Sequence, residues 1–300
     1  MWIVLGIASA IFLGMYDVSK KHALQHNAVL PVLFFSSIFG AAAILPFLLL
    51  SQLAPDVMLG SKFYIPSLSL AGHLNVLAKS ALITIAWLMS FCALRNLPIS
   101  VMSPISAFGP VWTLLGAILL FHENPSLVQF LGITVIMVSY VWLSIVGKNE
   151  GIIFYKNKWI LYALIATILG AASAMYDKQM IQRWEYSPLS LQTWFTIYIV
   201  PLMGIVMLVF WWPRRKIFTP FRWRWSIILI GVMLLVADYL YFNALSYKGS
   251  LVGMLITIRC SYIVISLVAG GIIFKEAQLS RKAFAICGIL MGVFLIFLSK

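Results

Sequence analysis

Acidic residues are the scarcest class in this 300-residue sequence: eight Asp and Glu stand against 21 Lys and Arg, and charged side chains together make up 10% of the chain. Beside 63% hydrophobic residues, so little charge cannot wet the surface of a soluble globule, which excludes one. Cysteine is nearly absent too. Cys92, Cys260 and Cys287 all fall inside apolar runs and none belongs to a CxxC pair, so they provide neither a disulfide framework nor a zinc site and read as packing thiols. The chain has no GxxxxGK-Ser/Thr loop, so it does not drive itself by hydrolysing ATP. It also lacks HExxH, GxSxG, a Ser/His/Asp cluster and paired deep carboxylates, and an enzyme is not expected. His122, beside Glu123 at the end of an apolar run, is a lone histidine, and neither a metal nor another cofactor is called for.

What the sequence does have is hydrocarbon. Apolar runs near 20 residues, the length that crosses about 30 Å of bilayer core as helix, recur along the whole chain. They fall near 2–19, 29–52, 76–95, 99–121, 126–147, 158–178, 189–212, 225–245, 250–274 and 283–299. The fold expected is therefore all-α and polytopic, with ten transmembrane helices. The longest connection, about 53–75, has no room for a soluble domain. The first run lacks a basic start and ends in Met-Tyr-Asp and two lysines rather than a small-residue cleavage site, so it reads as a retained span and not a signal peptide. The net charge of +13 flanks the spans, where anionic lipid headgroups and topology account for it, and no nucleic-acid partner is implied. Trp2, Trp159, Trp211, Trp212, Trp223 and Trp225 sit at span ends as interfacial residues.

The chain repeats itself. "GMYDVSKK" (14–21) closes one run and "SAMYDKQM" (173–180) another; "IAWLMSFCALRNLP" (85–98) matches "VADYLYFNALSYKG" (236–249), and "GAILLFHENPSLVQFLG" (116–132) matches "GGIIFKEAQLSRKAFAICG" (270–288). Two five-span units follow, 1–148 and 157–300. Five is odd, so the second unit enters the membrane from the other side, and an inverted repeat of this kind is a transporter architecture.

The stretch "ISAFGPVWTLLGAILLFHENPSLVQFLGI" (105–133), with Pro110, Glu123 and Gly132, resembles the fourth and fifth spans of an EamA-type domain of the drug/metabolite transporter superfamily. Glu276 and Gly288 keep the pattern in the second half, where Ile263 replaces the proline. The resemblance implies a secondary transporter of the bacterial-type cytoplasmic membrane, an exporter or exchanger of a small organic solute through a central cavity. Translocation of a lipid or other amphipath, or a channel-like facilitator, remains the alternative.

Ionisable groups inside spans are costly and usually face the bundle interior. Asp238 lies 8 residues before the turn at Ser246–Gly249 and Arg259 lies 10 after it, depths of roughly 12 and 15 Å, so the two are expected to meet. The pair either clasps two adjacent helices or offers the Arg259 fork to a substrate carboxylate or phosphate. Trp87, Tyr239, Tyr241, Asn243 and Tyr262 are candidates for the remaining wall. Asp17 and Asp177, with Tyr16 and Tyr176, are candidates for gating or proton coupling, although Lys20 and Lys21 stand three and four residues beyond Asp17 as helix-end partners. Glu123 and Glu276 are expected to cap helices or tether loops. Gly6, Ala10 and Gly14, and the GxxxG at Gly288 and Gly292, are packing seams, the latter also a possible dimer face; the partners expected are lipids, a small solute and at most a second copy, as monomer or homodimer. Connections after odd-numbered spans carry 14 of the 21 basic residues and the other side carries 6, counting Lys79. By charge, the odd connections face the cytoplasm.

Overall fold

A computed structural model describes residues 1–96, 105, 108–146, 158–217, 219–265 and 279–298; Glu276, and Ser106 opposite Arg259 in the repeat, lie outside the described residues. Helix is the only regular secondary structure among the described residues, as expected where bilayer must not meet open backbone. In chain order the helices are α1 (Trp2–Leu24), α2 (Val29–Leu53), α3 (Leu70–Asn96), α4 (Gly109–Phe121), α5 (Leu127–Val146), α6 (Lys158–Lys178), α7 (Pro188–Val206), α8 (Ser226–Ser246), α9 (Val252–Cys260) and α10 (Leu279–Leu298). A single turn at Pro55–Met58 interrupts the connection before α3.

Among the described residues, six stretches are long and apolar enough to cross a membrane: Trp2–Leu24, Val29–Leu53, Leu70–Ser90, Lys158–Arg183, Pro188–Arg214 and Ser226–Ser246. The remaining helices are shorter but also apolar. The chain is thus an integral, multi-pass, all-α membrane protein. Two span edges differ from the hydropathy reading. Polar "AGHLN" (71–75) is helical, so α3 starts at Leu70 instead of 76, and α1 runs on to Leu24, which brings Lys20 and Lys21 into the helix.

The principal pairings are α1 with α8 and α9, α2 with α7 and α8, α3 with α6 and α7, α4 with α6 and α9, and α5 with α10. Exchanging α1–α5 for α6–α10 leaves this scheme unchanged. The fourth helix of each half is also interrupted at matching points: Phe108 N–H bonds to the Ile105 carbonyl and Val111 N–H to Phe108, while Ser261 bonds to Ile258 and Val264 to Ser261. Each is a tight turn of three-residue bonds at the helix break.

Glycine sets the closest seams. A Cβ on Gly231 of α8 would sit 2.2 Å from the Ser36 carbonyl oxygen and 2.7 Å from the Gly40 nitrogen of α2. On Gly292 it would sit 2.7 Å from the Gly132 carbonyl oxygen and 2.5 Å from Ile136 Cγ1, and on Gly288 2.1 Å from Ser139 Oγ. The GxxxG of α10 therefore packs against α5 of the same chain, as an internal seam. Gly6 and Gly14 of α1 meet Leu255, Ile258 and Ile265 in the same manner.

Candidate functional site

Between the two halves lies a cavity of about 440 Å³. Its walls come from α1 (Tyr16, Lys20), α3 (Lys79, Trp87), α6 (Ser173, Asp177), α7 (Phe195), α8 (Asp238, Tyr241) and the α9 region (Arg259, Tyr262). A second cavity, of about 570 Å³, takes over along α3 from Leu88 to Asn96, where Asn27, Trp159 and Arg214 line it. Lys20, Lys21, Lys158, Arg214, Arg215, Arg222 and Arg224 cluster at this end, which we call the basic end.

Asp238 and Arg259 do meet: Arg259 Nη2 donates to Asp238 Oδ1. The guanidinium also lies over the Tyr241 ring, with Cζ 4.5 Å from its centroid. Tyr241 is three residues beyond Asp238 and so shares its face of α8. One buried donor on this wall, Arg259 Nε, has no hydrogen-bond partner among the described residues, while the Tyr241 hydroxyl lies within reach of the Asp177 carboxylate. Buried donors are nearly always paired, so unpaired ones mark a place where an acceptor fits.

A second ion pair shares the cavity. Lys79 Nζ lies 3.0 Å from Asp177 Oδ1, with Lys79 3% and Asp177 4% exposed. The ammonium sits 3.9 Å from the Phe195 ring centroid and 5.2 Å from that of Phe242, a setting that compensates its lost water. Lys79 is thus a deep group and not a flanking charge, which corrects the count above. With Lys79 and Lys178 inside the fold, the sparser side keeps four basic residues, Lys62, Arg183, Lys248 and Lys300. Lys79→Met will leave Asp177 buried without its cation and destabilise the protein by about 3–5 kcal/mol. Adding Asp177→Asn will recover most of that, as read from thermal unfolding in detergent; a single variant that melts like the native protein sinks the prediction.

Other expected residues separate. Trp87, Tyr262, Tyr16 and Asp177 line the central cavity with Asp238 and Arg259. Tyr239 does not: one residue on from Asp238 it is turned about 100° away, and it lines a lateral pocket of about 140 Å³ with Phe47, Phe63 and Val236. Asn243 donates to the Tyr239 carbonyl along α8 instead of lining the cavity. Tyr176 donates to Asn75 Oδ1 at 3.2 Å, and Asn75 to the Tyr186 hydroxyl at 3.0 Å, at the end away from the basic cluster. Asp17 is partly exposed on α1 and does not line the cavity, while Lys20 lies with Nζ 5.5 Å from the Tyr16 centroid.

The end opposite the basic cluster is closed by polar ties. α4 stops at His122, whose left-handed backbone (φ 52) throws Glu123 across to the second half. Glu123 Oε1 accepts from Lys178 Nζ at 2.5 Å and from Val252 N–H at 2.7 Å, and Oε2 from Gly253 N–H at 3.4 Å. The expected helix cap is therefore present, on the first turn of α9, where the free N–H groups and the helix dipole favour a carboxylate. One turn on, Gln182 donates to the Leu245 carbonyl and Ser250 Oγ, both at 2.8 Å.

No curated protein matches the sequence. A crystal structure, described only as that of a protein, shares the fold with a TM-score of 0.71 and 14% identity, over 99% of this chain and 96% of the other. A family model matches twice, at residues 1–145 and 157–298, and on that double match over nearly the whole chain the protein belongs to the EamA-like transporter family.

Proposed function

We propose that the chain is a secondary transporter, an exporter of a small organic solute carrying an anionic group, in the cytoplasmic membrane. In this reading its ten helices all span, as inverted repeats 1–148 and 157–300, and alternating access moves the solute through the central cavity. One observation carries it: an unpaired donor, Arg259 Nε, lies beside the Asp238–Arg259 contact on the wall of a cavity between the halves. A carboxylate or phosphate satisfies it, and Asp238 holds the fork in place.

The unchanged pairing under exchange of halves and the paired breaks at Phe108 and Ser261 support two interchangeable repeats around a midplane site. The cavities lead toward the basic end, which the charge rule assigns to the cytoplasm, with the N-terminus outside. A solute loads there and leaves at the other face. The lateral pocket at Phe47, Phe63 and Tyr239 favours a second reading, passage of an amphipath.

Counterflow into liposomes with labelled amino acids, organic acids and nucleotide-linked sugars tests the proposal. Saturable exchange of an anionic solute is expected. Exchange confined to alkyl-chain amphipaths moves the assignment to the second reading, and no exchange of any kind overturns both.

A further inference from the structure

The free space around the anion site does not stop at Asp238. We infer that the transported solute has an apolar arm, which runs from the Arg259 site past Gln192 and seats in the lateral pocket at Phe47 and Tyr239. This rests on the anion-transport reading above and names the class of solute: a carboxylate followed by an amide-type N–H and a hydrocarbon end.

Three spaces are linked by shared walls. The first is the central cavity with the Arg259 donor. The second is a narrow space of about 40 Å³ reached by α2, α7 and α8; Tyr16, Trp87, Phe195, Leu234 and Asp238 line both it and the central cavity. The third is the lateral pocket of about 140 Å³, which shares Gln192 and Leu235 with the narrow space. Asp238 thus belongs to the side of the narrow space that meets Arg259, and Gln192 to the side that meets the lateral pocket.

Gln192 gives the narrow space its chemistry. It is 1% exposed, and its Oε1 has no hydrogen-bond partner among the described residues. The Thr196 hydroxyl donates to the Gln192 carbonyl, one turn back, at 2.8 Å, so toward the side chain it can only accept, from Nε2 at 3.0 Å. That fixes the amide the way round that leaves its oxygen free. A buried acceptor without a donor is destabilising and rare, and it marks a place for an N–H of the ligand. Beyond Gln192 the walls are hydrocarbon, from Ala43, Ile44, Leu189 and Val236, and a polar end there would lose its water without return. Phe47 and Phe63, with ring centroids 5.2 Å apart and half their surface or less exposed, form the outer rim. A lipid chain entering over that rim could fill the pocket, but it brings no donor to Gln192. An arm arriving from the central cavity does.

N-acylglycines of growing chain, from N-acetyl to N-hexanoyl, test this in the liposome assay, as counterflow substrates and as competitors. Apparent affinity should rise about fourfold per methylene, as each CH2 leaves water, and level off once the pocket is full. Val236→Phe and Ala43→Leu, each of which fills the pocket, should flatten the rise and leave exchange of N-acetylglycine as it is, which also reports that the variants fold. Gln192→Leu should weaken N-hexanoylglycine about tenfold and spare a fatty acid of the same length, which has no N–H. Equal loss of both reduces Gln192 to a packing residue and overturns the inference. A rise that survives both filled pockets comes from partition into the bilayer and overturns it too, as does an affinity indifferent to chain length. N-acylglycines that neither exchange nor compete, while another anion exchanges, overturn the arm and leave the transporter; absence of exchange by every anion overturns the transporter reading instead.

Discussion

Arg259→Gln will lower counterflow of anionic solutes by about 100-fold while the protein still reaches the membrane, because a charge-assisted hydrogen bond of about 1.5–3 kcal/mol is removed. The same change also turns Asp238 from a brace into a bare negative charge that repels the solute. Arg259→Lys keeps the charge but not the fork, and an intermediate rate is expected. Tyr241→Phe separates binding from folding. Its hydroxyl lies on the cavity wall within reach of the Asp177 carboxylate, so its loss should cost no more than about 1 kcal/mol of stability and about tenfold in apparent affinity. Native rates in Arg259→Gln would reduce the pair to a clasp between α8 and α9.

Gly231→Ala is expected to prevent the protein from folding to a monodisperse species in detergent. The new methyl would lie 2.2 Å and 2.7 Å from backbone atoms of Ser36 and Gly40, which no rotamer change can move aside. Relief requires α2 and α8 to part, and the cost exceeds the roughly 1–3 kcal/mol of ordinary overpacking. Gly170→Ala is the control, since a Cβ there meets nothing within 4 Å, and it should purify and melt as the native protein does. Comparable yield and melting for Gly231→Ala would show that the seam yields.

Hydropathy and the Met-Tyr-Asp repeat made the helical class and the duplication legible, because bilayer solvation imposes one pattern on every span. The Asp238–Arg259 contact was legible as well, since a short turn between two helices equates depth with residue count. Lys79 was hidden for a particular reason. The polar residues His73 and Asn75 made α3 look as if it began at 76, and a lysine near a span edge reads as a flanking charge; both residues instead bond within the bundle, His73 to Tyr198 and Asn75 to Tyr186. Tyr239 was misplaced because depth in the membrane was estimated without azimuth, and one residue of helix changes the face. The role of Glu123 was half visible: a cap was expected, but the helix it caps is 129 residues away in sequence.

The seam of Gly40 and Gly231 has a mechanical meaning. Where two helices touch backbone to backbone there is no layer of side chains to shear, so the contact resists translation and permits rolling. α2 and α8 belong to different halves, so under the alternating access proposed above this spot would serve as a fulcrum. From Gly231 to the end of α8 at Ser246 the lever arm is about 22 Å, so a tilt of about 10° swings that end by about 4 Å. The displacement compares with the length of a hydrogen bond, and it falls where Gln182 grips the Leu245 carbonyl.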